Sequence, residues 1–129
     1  MKGGYVEGFV FTVPKKKTAL YKKMAGAMAE LSRKYGALDY KECRAVNLKP
    51  KVMSGMTYLP FPKMVKPKKD EAIWFSYIVY KSRKDREAIV KKMMQDPMMK
   101  NPPEEWKNAP MPFDMKRMAM AGFQVEVSM

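Results

Sequence analysis

The chain of 129 residues contains no histidine and a single cysteine, Cys43. Without imidazole there is no Ser-His-Asp or Cys-His arrangement and no histidine ligation of haem, and the usual zinc sets cannot be assembled. One thiol cannot close an internal disulfide, and no neighbouring histidine favours its thiolate, so Cys43 reads as inert. No strand runs into a glycine-rich phosphate loop. Apolar runs are short, broken by Glu7, Lys81 and Gln124, and none approaches the roughly 20 residues that cross a bilayer, so no membrane partner is expected. The start of the chain lacks the basic stretch, apolar core and small-residue cleavage site of a secretory signal, which makes the cytoplasm the expected location. Neither a metal nor a cofactor is expected.

Acid is scarce too. Thirteen acidic against 26 basic side chains leave a formal charge of +13, a field that attracts phosphate backbones, anionic lipid or acidic ligands. Most of the bases are lysine, a hydrated point charge, whereas bidentate phosphate or base recognition calls for arginine. Nucleic acid is therefore a possible but unfavoured partner. With 47% hydrophobic and 12% aromatic residues, the chain has enough apolar material for one domain over residues 1–129, a size at which folding buries roughly two thirds of the unfolded surface. Of the 15 methionines, Met24, Met28, Met93 and Met120 fall where a core is expected. Met53, Met56, Met64, Met98, Met99, Met111 and Met115 fall in loops, where such flexible apolar side chains need a partner, for which a second subunit is one candidate.

Patterning divides the chain into four strands, two main helices and one short helix. Residues 5–13 alternate with apolar groups on both faces, a central strand ended by Pro14. From Thr18 to Tyr35 the apolar residues Leu20, Met24, Met28, Leu31 and Tyr35 recur at helical spacing, with Gly26 permitting close approach to the sheet and Gly36 as the stop. Residues 38–46 read as an edge strand protected by charge. The segment 48–69 carries Pro50, Pro60, Pro62, Pro67 and six lysines without an acid, and is expected to be a long basic loop. Residues 71–81 form the most apolar strand. Ser82 and Asp85 resemble a capping box for a second helix, closed by Pro97, and Asn101 is the expected cap of a short helix anchored by Trp106. A last strand covers about Met118 to Val127. The order β-α-β-β-α-β predicts an α+β, ferredoxin-like fold: a four-stranded antiparallel sheet with both helices on one face. The apolar groups on the other face of strand 71–81 need a separate roof, which predicts a homodimer.

Glu7 and Glu42 lie in strands beside aromatics, where a carboxylate of raised pKa can act as a base; the reading favoured is a structural ion pair with Arg44, Arg83 or Arg117. Asp114 and Arg117 precede the last strand, and Arg117 with Arg83 and Arg86 can grip an anion, or Asp114 can simply fix the turn. Tyr40, Trp74, Tyr77 and Tyr80 offer a flat ligand aromatic surface, although such stripes also build cores and interfaces.

Four segments, GYVEGFVFTVPKKK, YGALDYKEC, IWFSYIVYKSRKDRE and MPFDMKRMAMAGFQV, resemble the YbaA-like family of small bacterial proteins of unknown function over nearly the whole chain. The resemblance implies a place in the dimeric α+β barrel superfamily, in which two sheets pair face to face. That superfamily also holds monooxygenase-type, stress-responsive and haem-degrading proteins. The family has histidine at the position of Tyr35 and glycine at that of Met115, so imidazole chemistry is not carried over. Three functions follow as expectations. The first is a homodimer that binds a small apolar or aromatic molecule between its sheets at Glu7, Tyr40, Glu42, Trp74, Tyr77, Arg83, Asp114 and Arg117, with cofactor-independent monooxygenase-like activity implied by the resemblance alone. The second is polyanion or nucleic-acid binding through Lys49, Lys51, Lys63, Lys66, Lys68 and Lys69. The third is an interaction module without catalysis.

Overall fold

Alternation in the first segment becomes strand β1 (Tyr5–Pro14). Pro14 ends it, and the next amide, of Lys15, donates to the Asp70 carbonyl at 2.8 Å. A three-residue 3-10 turn of lysines leads into helix α1 (Thr18–Lys34). Gly36, at φ 110°, supplies the left-handed residue after the helix. Then come the short strand β2 (Asp39–Arg44), helix α2 (Phe61–Val65), strand β3 (Glu71–Tyr80) and helix α3 (Arg83–Met94). Two single-turn helices follow, α4 (Pro97–Lys100) and α5 (Glu104–Lys107), then a 3-10 turn (Met115–Arg117) and strand β4 (Ala119–Gln124). This computed structural model describes residues 4–107 and 111–129. No helix among the described residues is long and apolar enough to cross a membrane.

The sheet is antiparallel throughout, in the order β2-β3-β1-β4. This is the expected α+β, ferredoxin-like arrangement, with the first segment central and β2 at an edge. Registers Phe11↔Trp74 and Glu42↔Ser76 put odd residues of β1 and even residues of β2 and β3 on one face. Helices cover that face. Phe11, Val13, Tyr21, Ala25 and Trp74 form one buried cluster, and Leu31, Tyr80, Ile89 and Met93 the other. Tyr21 sits edge-on to Trp74 at 5.1 Å between ring centres, a geometry that adds about 0.5–1.5 kcal/mol beyond burial.

Several local expectations are corrected. The buried residues of α1 are Tyr21, Ala25, Leu31 and Ser32, with Met28 half-buried: Met28 and Leu31 belong to the expected stripe, while Tyr21, Ala25 and Ser32 lie one residue on from Leu20, Met24 and Leu31. Gly26 is exposed, and a methyl group there would meet nothing within 4 Å, so it mediates no approach to the sheet. The basic loop contains α2, tolerated because Pro62 lies in its first turn. Pro97 opens α4 rather than only closing α3, with Asp96 as its cap. Asn101, expected to open the next helix, instead ends α4, its amide donating to the Pro97 carbonyl at 2.8 Å, and its Oδ1 accepts from Lys107 Nζ at 2.8 Å. Met120 is exposed, as is every residue of β4. The cap of α3 is as expected, Ser82 Oγ accepting from the Asp85 amide at 3.0 Å.

Candidate functional site: a methionine-lined cavity beneath α1

Strand alternation turns Tyr40 and Glu42 toward the helices, and α1 lays Tyr21, Met24, Ala25, Met28 and Ser32 above them. The layers do not close completely. Between them lies a cavity of about 440 Å³, whose outer wall is the chain after α3. Eight methionines line it: Met24 and Met28 of α1, Met93 of α3, Met98 and Met99 of α4, and Met111, Met115 and Met118 further on. Thus four loop methionines that seemed to need a second subunit border a cavity of their own chain, Met98 and Met99 half-buried and Met111 and Met115 still largely exposed. Phe9, Phe11, Phe113 and Trp106 supply aromatic wall.

Polar groups are few. Tyr21 Oη donates to Glu42 Oε1 at 2.8 Å and Tyr40 Oη donates to Oε2 at 2.6 Å. Burial raises the Glu42 pKa, and the two hydroxyl bonds pull it back only in part. Burial, then the neighbouring carboxylate, drives both phenols far above the ordinary tyrosine range. Ser76, buried, stands directly across β3 from Glu42 and also lines the cavity. The indole N–H of Trp106 is buried without a partner among the described residues.

Glu42 differs from the other interior acids. Glu7 pairs with Arg86 at 2.8 Å, Glu71 with Arg117 at 2.8 Å and Asp96 with Lys34 at 2.9 Å. Among the described residues no cation forms an ion pair with Glu42. Lys22, Lys41 and Arg44 border a second groove on the other side of Glu42, with Trp74 in the same wall, but Lys41 is paired with Asp39 and none of the three forms an ion pair with the Glu42 carboxylate.

Of the residues read from sequence, the cavity thus brings together Tyr40 and Glu42 alone. Glu7 is on the same sheet face but spent on Arg86, not on Arg44, Arg83 or Arg117. Tyr80 beside that pair is pushed up to about 12 by burial and then by Glu7. Trp74 is core packing against Tyr21. Tyr77 lies on the opposite, open face, against Phe75. Arg83 is exposed. Arg117 grips Glu71 through both terminal nitrogens at 2.8 Å, holding that carboxyl down to about 2, so Arg117, Arg83 and Arg86 do not form an anion clamp. Asp114 fixes its turn by accepting from the Lys116 amide at 2.9 Å. Lys49, Lys51, Lys63, Lys66, Lys68 and Lys69 are all exposed, and none is in an ion pair among the described residues. Sequence reading missed Tyr21 and Ser76. Their signals were the second helical stripe, Tyr21, Ala25, Met28 and Ser32, and a serine in an otherwise apolar strand.

Residues 4–115 match the family model described as "Protein of unknown function (DUF1428)". The chain belongs to this family. Over 120 residues it is 39% identical to the "Uncharacterized protein YbaA" of Escherichia coli (strain K12), covering 93% of this chain and 94% of the relative. The Shigella flexneri protein of the same description matches to the same extent, 39% over 120 residues. Among solved structures, a dimeric ferredoxin-like protein from an uncultured marine organism superposes with a TM-score of 0.58 over 98% of this chain and 99% of its own, at 14% identity. That likeness is one of fold. The family shown is the one the four sequence segments resemble.

Proposed function

We propose that this member of the family, a single domain, is a homodimer that binds a small, largely apolar organic molecule in the cavity beneath α1. The site proposed is thus on the helical side of the sheet, not between two sheets. One observation carries the reading: a carboxylate with lifted pKa, held by two tyrosine hydroxyls, stands in an otherwise methionine and aromatic cavity of about 440 Å³. Pockets of this size with few, converging polar groups suit small ligands. Methionine walls adapt to the shape of a ligand. The dimer is supported by the open sheet face, where Phe75 is 42% and Phe123 56% exposed, and by the dimeric description of the protein of similar fold.

Binding is tested by thermal shift with naphthols, naphthoquinones and arylalkylamines. A ligand at about 100 times its Kd adds about 2.7 kcal/mol, and Met28→Trp, which fills the cavity, is expected to abolish the response. A flat response across the panel sinks the reading. Cofactor-independent monooxygenase-like chemistry would begin with proton transfer to Glu42. Dioxygen uptake with an oxidisable naphthol, lost in Glu42→Gln, is its test.

A second reading, polyanion binding, rests on the six exposed lysines of the segment between β2 and β3, none of them ion-paired among the described residues. Its signature is affinity for a DNA oligonucleotide that falls steeply with salt. If neither test responds, the non-catalytic interaction module is the reading left.

A further inference from the structure

We infer that the molecule taken up by this cavity is a lipophilic cation, an aryl or alkyl amine whose ammonium group docks on Glu42. The inference rests on the proposed cavity binding and names its ligand class. Its basis is a missing counter-charge. The chain carries two basic side chains for every acidic one, 26 against 13, and three other interior carboxylates, Glu7, Glu71 and Asp96, each hold an arginine or lysine. On its cavity side Glu42 meets apolar side chains and two neutral hydroxyls, and although Lys22, Lys41 and Arg44 border the groove on its other side, none of the described residues forms an ion pair with it. An ionised carboxylate in such surroundings is costly unless paired.

The rest of the site fits an ammonium group. A carboxylate has about four acceptor positions, and Tyr21 and Tyr40 occupy one on each oxygen. The two phenol rings and Trp106 are among the cavity walls; aromatic faces attract cations, more strongly when water is excluded. Methionine and phenylalanine then accommodate the hydrocarbon body. The overall field opposes this selectivity, since +13 repels a free amine. Any preference for a cation must therefore arise locally.

The experiment compares 2-(1-naphthyl)ethylamine with 2-(1-naphthyl)ethanol, of nearly equal size and shape, by calorimetric titration of the full-length protein at pH 7.5. The amine is expected to bind at least tenfold more tightly than the alcohol in the wild type. Glu42→Gln, which keeps the shape and an acceptor for a tyrosine hydroxyl, should bring the two within about twofold, with circular dichroism confirming that it folds. Lowering the pH until Glu42 protonates should erode amine affinity and leave alcohol affinity unchanged. Equal affinities in the wild type, or tighter binding of the alcohol or of 1,4-naphthoquinone, overturn the cationic ligand while preserving the cavity reading. Failure of all three compounds to bind, with no effect of Met28→Trp, overturns both.

Discussion

Glu42 is where residue chemistry and burial pull hardest against each other. Its pKa is raised by burial, so the folded state binds this proton more tightly than the unfolded chain does. The stabilisation is complete below the ordinary carboxyl pKa of about 4.3 and disappears as pH rises through the raised folded value. Differential scanning calorimetry of wild type and Glu42→Gln should therefore show the variant gaining relative melting temperature between about pH 4.5 and 7. A constant difference would show that burial does not act on this group. Glu71 and Asp96, both held at about 2, the first by Arg117 and the second by Tyr35, act in the opposite sense and lower down: their stabilisation is present above about pH 4 and lost toward pH 2. At Gly26 the expectation is simpler. A helical glycine on an exposed face with open space beside it costs about 0.5–1 kcal/mol relative to alanine. Gly26→Ala should raise the unfolding free energy by about that amount, read as a higher denaturant midpoint at unchanged slope. Glu42 and Tyr40 were legible because strand alternation assigns a face; Tyr21 was not, because two stripes one residue apart serve equally well as the buried side of α1.

Among the elements, α4 matters most to the site, because it carries Met98 and Met99 into the cavity wall. One residue holds it. Asp96 Oδ1 accepts from the Met98 amide at 2.9 Å, while Oδ2 accepts from Tyr35 Oη at 2.7 Å and Lys34 Nζ at 2.9 Å. The end of α1 is thereby tied to the start of α4 across 61 positions of sequence. Asp96→Ala removes the cap and the tie together. It should lower the melting temperature by roughly 3–5 °C and speed amide exchange in residues 97–101, measured by mass spectrometry. Exchange unchanged there would mean that packing alone holds α4. The cap of α3 could be read from sequence, since Ser82 and Asp85 are three residues apart. The Asp96 tie could not, because its partners are adjacent only after α1 and α3 have packed.

At the scale of the whole molecule, the two sheet faces have different fates. Thr12 and Ile73 on the open face are buried at the end where α2 packs against β1, but Phe75, Phe123, Ala119 and Ala121 are exposed. An apolar sheet face left in water is the strongest reason to propose a twin subunit. Phe75→Lys places a charge in its middle. Sedimentation equilibrium at micromolar concentration should give a dimer for the wild type and a monomer for the variant, with circular dichroism unchanged. A wild-type monomer would end the dimer proposal.

Periodicity and composition determined the strand order in sequence, the antiparallel sheet with helices on one face, and the exclusion of imidazole and disulfide chemistry, because these depend on spacing two to four residues apart or on a bare count. Tertiary structure decided which of two helical stripes is buried, which arginine answers each acid, and that Tyr21, Glu42 and the loop methionines enclose one space. Those pairings join residues from 21 positions apart, Tyr21 and Glu42, to 79 apart, Glu7 and Arg86. Local spacing carries no record of such a distance; only the packing of helix on sheet sets it.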